Sequence, residues 1–170
     1  MTDLDQLKLR PLRPGDEEDA VRWAADEGFC RAADWTLNLA PDKVREHWRK
    51  TVAGLGLDFL RLGVELHDAL VGHVDLACLT AHSGEFGIVI ERPRWRQGVG
   101  LAAGRLLLAH AFGTLELEEV TATVHTPNLP SHALMRRLGF AEEGEAEPEQ
   151  YQGEVVAVTR YTLKRQDYSP

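Results

Sequence analysis

The chain has 170 residues and a mass of 19.0 kDa, with 27 acidic residues against 19 Lys and Arg and a formal net charge of −8. A hydrophobic content of 44% excludes a disordered chain, and the longest apolar run, Leu106 to Phe112, is far shorter than the about 20 residues that span a bilayer. The start MTDLDQLKLR lacks the apolar stretch of a secretory leader, two cysteines (Cys30, Cys78) build no disulfide framework, and no long basic run offers itself to duplex nucleic acid.

Those properties predict a cytoplasmic protein with one domain over 1–170 and with no membrane or nucleic-acid partner. In chain order, Leu7, Leu9 and Leu12 give a short strand broken by Pro11. Arg13-Pro14-Gly15-Asp16 is a turn, with Asp16 placed to cap a helix carrying Ala20, Val21, Trp23 and Ala24. A second helix starts at Pro41 and sets Val44, Trp48 and Val52 on one face. The period then changes. Phe59, Leu60, Leu62 and Val64 read as a strand, His67-Asp68-Ala69 as a hairpin turn, and Leu70–Leu76 and Phe86–Ile90 as two further strands. Ser83-Gly84-Glu85 reads as a turn between them. After the loop Glu91 to Gly98, a helix over 99–112 is apolar nearly all round, which predicts burial on most sides. Val120–His125 is a β-branched strand, Asn128–Leu138 a short helix closed by Gly139, and Tyr151–Leu163 the end of a hairpin and a last long strand. This order predicts a three-layer α/β (α+β) fold, a mixed and mostly antiparallel sheet with helices on both faces.

The loop ending Arg96-Gln97-Gly98-Val99-Gly100 carries the sharpest signal. Glycines admit close approach of a ligand to the backbone. The first N–H groups of the following helix lack intrahelical acceptors and sit at its positive end, so they favour an anion such as a pyrophosphate. The plainer alternative is that Gly98 and Gly100 only permit a tight turn and close packing. Gly98 to Ala103 also satisfies the dinucleotide fingerprint G-x-G-x-x-G/A. That fingerprint follows its strand at once and wants an acid about 20 residues on, whereas here a long loop intervenes and the next strand ends in His125-Thr126-Pro127. A nucleotide-dependent oxidoreductase therefore stands as the weaker alternative.

Strand FGIVI, loop ERPRW, RQGVG and a helix together resemble the acetyl-CoA signature Q/R-x-x-G-x-G/A of the GCN5-related N-acetyltransferases (GNAT). The frame here is Trp95-Arg96-Gln97-Gly98-Val99-Gly100, with Trp95 in the leading position. A second block, HTPNLPSHALMRRLGF, is similar to the Asn-x-x-Ser and Leu-Gly-Phe pattern of the ribosomal-protein-alanine (RimJ/RimL-like) branch through Asn128, Ser131, Leu138, Gly139 and Phe140. LRPLRPGDEEDAVRW and the closing strand with Tyr161 resemble the same branch, so the likeness covers nearly the whole chain.

The resemblance implies transfer of an acetyl group from acetyl-CoA to a primary amine, by direct attack in a ternary complex. The acceptor it implies is a protein N-terminus or a small-molecule amine. It places the pyrophosphate on Arg96, Gln97, Gly98, Val99, Gly100, Leu101 and Ala102. Pantetheine lies along Ile88 and Val89 and meets Asn128 and Ser131, with an N–H near Ile88 facing the oxyanion. Glu85 stands where many members carry a glutamate base, against the plainer reading of a solvated acid; His73 and Asp75 are second choices on one strand face. Where many members have a tyrosine acid this chain has Met135, so Ser131 inherits contact with the leaving sulfur. Asn128 also suits a helix cap. No histidine spacing suggests a metal. Met135 and the weak acid Ser131 leave a CoA-binding module with little catalysis as a second alternative. Homodimers are common among similar proteins.

Overall fold

The computed structural model describes residues 3–54 and 56–170. Seven strands form one sheet in the order β1-β2-β3-β4-β5-β7-β6. They are β1 (Lys8–Pro11), β2 (Leu60–Leu66), β3 (Ala69–Ala77), β4 (Ser83–Ile90), β5 (Glu119–His125), β6 (Ala141–Tyr151) and β7 (Glu154–Lys164). Every neighbouring pair is antiparallel except β4–β5. The helices are α1 (Asp16–Ala24), α2 (Glu27–Ala33), α3 (Pro41–Ala53), α4 (Val99–Ala109) and α5 (Leu129–Arg137). This is the expected mixed architecture.

Two apolar clusters lie on opposite faces of the sheet. Ala20 and Trp23 of α1, Phe29 and Cys30 of α2, and Val44 and Trp48 of α3 pack with Leu70 on one face. Val99, Ala103, Leu107 and Leu108 of α4 and Met135 of α5 pack with Val64, Val74, Leu76, Phe86, Val120 and Val124 on the other. β2 and β3 slip register between Val64 and Glu65, leaving Val71 as an extra residue. Beside that bulge, a Cβ on Gly72 would meet Val89 O, so only glycine lets β3 and β4 approach there.

Several local expectations change. Asp16 does not cap α1; Gly15 does, at φ 105° with no side-chain cap bond. The Asp16 carboxylate instead accepts Arg13 N at 2.8 Å and the two Arg10 Nη groups at 2.9 Å each. Arg10 also bridges to Glu65, so one guanidinium ties β1 to α1 and β2. In α3 Thr51, not Val52, joins Val44 and Trp48 in the interior. Ser83 to Glu85 belong to β4 rather than to a turn, because they pair with β5. Helix α4 exposes one flank, Arg105, Leu106 and Ala109, with Leu106 39% exposed; it ends in a wider π-type turn over His110–Thr114. Neither α2 nor, apart from its end at Tyr151, β6 is foreshadowed by period or punctuation.

Candidate active site

The parallel pairing of β4 with β5 is short. It covers Ser83↔Glu119, Gly84↔Val120 and Glu85↔Thr121 and then stops, although both strands continue. Beyond Glu85 they diverge into a wedge. Glu91 N donates to Val71 O at 2.8 Å. Alternation along an antiparallel ladder then turns the backbone groups of Gly87 and Val89 toward β3 and those of Ile88 and Ile90 into the wedge. The two inward N–H groups have no strand to pair with.

The wedge opens into a cleft of about 870 Å³. One end is the loop and first turn of α4, with Arg94, Trp95, Arg96, Gly98, Gly100 and Leu101. Its middle runs between Ile88, Val89 and Ile90 of β4 and Asn128, Ser131 and Leu134 of α5, with Arg137. Phe29, Ala32 and Ala33 of α2 form a further wall of the cleft. Arg96 and Gly98 both adopt left-handed backbone, at φ 60° and 82°, and Gly98 caps α4 without a side-chain bond. The first intrahelical donor is Ala102 N, to Gly98 O at 3.0 Å. The N–H groups from Gly98 to Leu101 therefore have no acceptor within the helix. Arg96 and Arg137 have no acidic partner among the described residues, whereas Arg94 reaches Glu91 at 3.5 Å.

The expected site residues divide. Ile88, Val89, Arg96, Gly98, Gly100, Leu101, Asn128 and Ser131 all line the cleft. Val89 does so with its side chain, since its backbone serves β3. Gln97 Nε2 donates to Pro93 O at 2.7 Å and stiffens the loop. Val99 is fully buried in the core, and the Ala102 N–H is spent on Gly98. Asn128 Oδ1 accepts Ser131 N at 3.3 Å, which makes it the cap of α5 as well as a wall of the cleft. Glu85 lies at the closed end of the wedge, outside the lining, and accepts Thr123 Oγ1 at 3.0 Å.

His73 and Asp75 lie outside the cleft lining. Asp75 takes two bonds from Arg61, at 2.7 and 2.8 Å, and lies 3.1 Å from His73 Nδ1. Burial pushes the Asp75 carboxyl up, but Arg61 and His73 outweigh it and hold it below the usual carboxylate range. His73 is 2% exposed beside Trp48 and Trp23, and burial lowers its pKa. Trp35 does not line the cleft; it stands edge-on to Phe29, which does, at 5.0 Å. Met135 is buried and offers no proton.

Sequence reasoning missed the α2 wall. Its single local sign is Asp26, whose Oδ1 accepts Phe29 N at 3.2 Å as a cap. It also missed what holds that wall. The tip of the β6–β7 hairpin reaches across to α2, where Gln152 N donates to Asp34 Oδ1 at 3.1 Å and Gln152 Nε2 to Arg31 O at 2.7 Å. Tyr151 Oη donates to Ala32 O at 3.5 Å.

Donors at one end, an unpaired strand edge in the middle and a further apolar wall fit a long ligand with an anionic head and an amide-bearing arm. Comparison with known proteins agrees. Residues 6–141 match the acetyltransferase (GNAT) domain. A putative ribosomal N-acetyltransferase, YdaF of Bacillus subtilis (strain 168), is 32% identical over 152 residues, 84% of this chain and 81% of that protein. RimJ of Mycobacterium smegmatis, solved with CoA-disulfide, superposes with a TM-score of 0.84 at 24% identity over 94% of this chain and 82% of that one. A spermidine N-acetyltransferase of Vibrio cholerae, solved with CoA and spermine, gives 0.82 at 24% over 96% and 98%. At these identities the two structures establish likeness of fold.

Proposed function

The chain belongs to the acetyltransferase (GNAT) family, and from that premise we propose how its cleft moves an acetyl group from acetyl-CoA to a primary amine. The observation that carries the reading is the wedge between β4 and β5, whose Ile88 and Ile90 N–H groups are left without a strand. Acetyl-CoA, when bound, supplies an activated acyl carbon and a thiolate leaving group. The N–H groups from Gly98 to Leu101, with Arg96 and Arg137, hold the pyrophosphate. Ile88 and Val89 line the pantetheine arm, which adds to the strand edge as a short β-partner. Ile88 N–H faces the oxygen on which charge develops. Asn128 contacts the arm and capping holds it still, and Ser131 hydrogen-bonds the departing sulfur. Phe29, Ala32 and Ala33 exclude water on the acceptor's side.

The reading takes 1–170 as one acyltransferase domain, because β6 and β7, which lie largely beyond the matched segment, extend the same sheet. No described helix is long and apolar enough to cross a membrane. With both cysteines free, a cytoplasmic enzyme is part of the reading, as is a homodimer detectable by light scattering.

Thermal unfolding with acetyl-CoA, CoA and NADH in parallel tests the assignment. A ligand at about 100 times its Kd adds about 2.7 kcal/mol, several degrees for a chain of this size. A shift with CoA or acetyl-CoA supports it, and turnover of acetyl-CoA with an amine separates an enzyme from a binding module. A shift with NADH alone refutes it.

A further inference from the structure

The register that pairs Glu85 with Thr121, carried four residues along both strands, sets Val89 level with His125 across the open wedge. Alternation keeps Glu85, Gly87 and Val89 on one face of the sheet and Thr121, Thr123 and His125 on that same face. It is the face of α2, against whose cluster Val89 packs. The His125 Nε2 atom lies 3.0 Å from Glu149 Oε2, and its ring stacks on Tyr151 with centroids 4.3 Å apart and planes at 18°. Tyr151 in turn holds Ala32, a residue of the cleft wall. The His125 side chain keeps 23% of its exposure, enough to exchange protons. An ionised carboxylate only accepts, so Nε2 carries the proton and Nδ1 is left with its lone pair. Neither His125 nor Glu85 is part of the cleft lining, and His125 borders it through Tyr151 and Ala32, but Glu85 is less well placed. It sits where the strands still pair, about 13 Å short of Val89 along β4, and Thr123 already engages it.

We propose that His125, oriented by Glu149, takes the proton of the attacking amine. The inference rests on the amine-acetyltransferase reading. An N–H bond of the amine breaks and its proton moves to His125 Nδ1. The nitrogen pair forms the bond to the acyl carbon, and the C–S bond breaks with its pair left on sulfur. Histidine suits this because its ordinary pKa lies nearest neutrality. Of the charged and titratable groups, Glu149 bonds the ring and Tyr151 stacks on it, and Arg160 of β7 pairs with Thr123, two residues before His125 on β5.

The test assays the full chain with acetyl-CoA and two acceptors, spermidine and an alanine-ended hexapeptide. His125→Gln is expected to lower kcat about 100-fold or more, to leave KM for acetyl-CoA unchanged, and to abolish the acidic limb of the pH profile. Glu149→Gln is expected to lower kcat by less than His125→Gln does and to leave KM for acetyl-CoA unchanged. If Glu85→Gln loses the limb and His125→Gln keeps it, the proposal is overturned. If the wild type transfers to neither acceptor, the amine reading fails for them, and the ring still decides the assignment through its nitrogen NMR spectrum. A proton on Nε2, with Nδ1 bare, supports the dyad; a proton on Nδ1 alone overturns it.

Discussion

Trp95 Nε1 donates to Ile90 O at 2.7 Å, pinning the loop that enters α4 back onto the strand it has just left. The bond occupies the one inward carbonyl at the wide end of the wedge. Trp95 stands where the family signature leads with Gln or Arg, so an indole here does positional work. Trp95→Phe keeps the ring and removes the donor. It is expected to leave the fold intact and to weaken acetyl-CoA binding by about 1 kcal/mol, roughly fivefold. Calorimetric titration checks this, and an unchanged Kd would refute the pinning role.

The two glycines of the loop make different demands. Gly98 needs its left-handed backbone, and an added Cβ would press on Leu4 Cδ1 at 3.2 Å. A Cβ on Gly100 meets only Ile90 Cγ1 at 3.9 Å and Leu134 Cδ2 at 4.0 Å, ordinary contacts. The fold therefore has room for a methyl at Gly100, and on the proposed reading its absence leaves the cleft open to the cofactor. Gly100→Ala should equal or slightly exceed the wild type in stability, since alanine suits a helix better than glycine, yet bind CoA more weakly. Gly98→Asp should lose the CoA-induced thermal shift altogether, because a carboxylate faces the pyrophosphate donors. Full CoA affinity in Gly100→Ala would restore the view that this glycine is a packing device.

Arg10 joins two nearly buried carboxylates, Asp16 and Glu65, which are 4% and 2% exposed. Lys8 and then Arg10 hold the Glu65 carboxyl below its usual range against the pull of burial. Arg10→Met leaves Asp16 without an ion partner among the described residues and Glu65 with only Lys8 and Arg13, and removing one partner of such a network costs up to about 3–5 kcal/mol. Urea unfolding at pH 7 should show a loss of that order, with partial recovery in Arg10→Lys. A loss under about 1 kcal/mol would place the pair among surface bridges.

His73 gives the protein an acid-sensitive core. Its pKa is lowered by burial, so the native state keeps it neutral while the unfolded chain protonates near the ordinary value of about 6.5. Below that pH the unfolded state binds more protons, and stability falls as pH falls, by up to about 1.4 kcal/mol per unit. In His73→Phe the slope between about pH 6.5 and 5 should flatten by that amount. Loss below about pH 4 should persist, as Asp75 and Glu65, both with lowered pKa values, protonate there. Equal slopes in the two proteins would show that His73 is not the group responsible.

The readable parts of the chain are those where period and punctuation agree. β4, α4, β5 and α5 announce themselves through apolar alternation, Gly98, the Asn128 cap and Gly139. The strand β6, AEEGEAEPEQY, does not, because it is an edge strand whose charges belong to solvent and whose pairing to β7 slips twice, at Glu142/Gly144 and Ala146/Glu149. Ser83-Gly84-Glu85 has the composition of a turn and becomes strand because Glu119 to Thr121 lie alongside, with Ala77 of β3 opposite Glu85. In the site, the glycine loop carries its own chemistry and is legible. Ala32 and Ala33 carry none, and they become a wall only through a hairpin more than a hundred positions away.

That last junction sets an order of assembly. The hydrogen bonds joining Arg31, Ala32 and Asp34 to Tyr151 and Gln152 span 118 to 121 positions. The glycine loop and the strand before it are neighbours in the chain and can meet early, whereas closures of this length come late in folding. During synthesis, a chain that has reached only α5 has the glycine loop and β4 but lacks Tyr151 and Gln152, which hold α2. On the proposed reading, the parts that grip the acyl donor are therefore made before the parts that hold the wall on the acceptor's side.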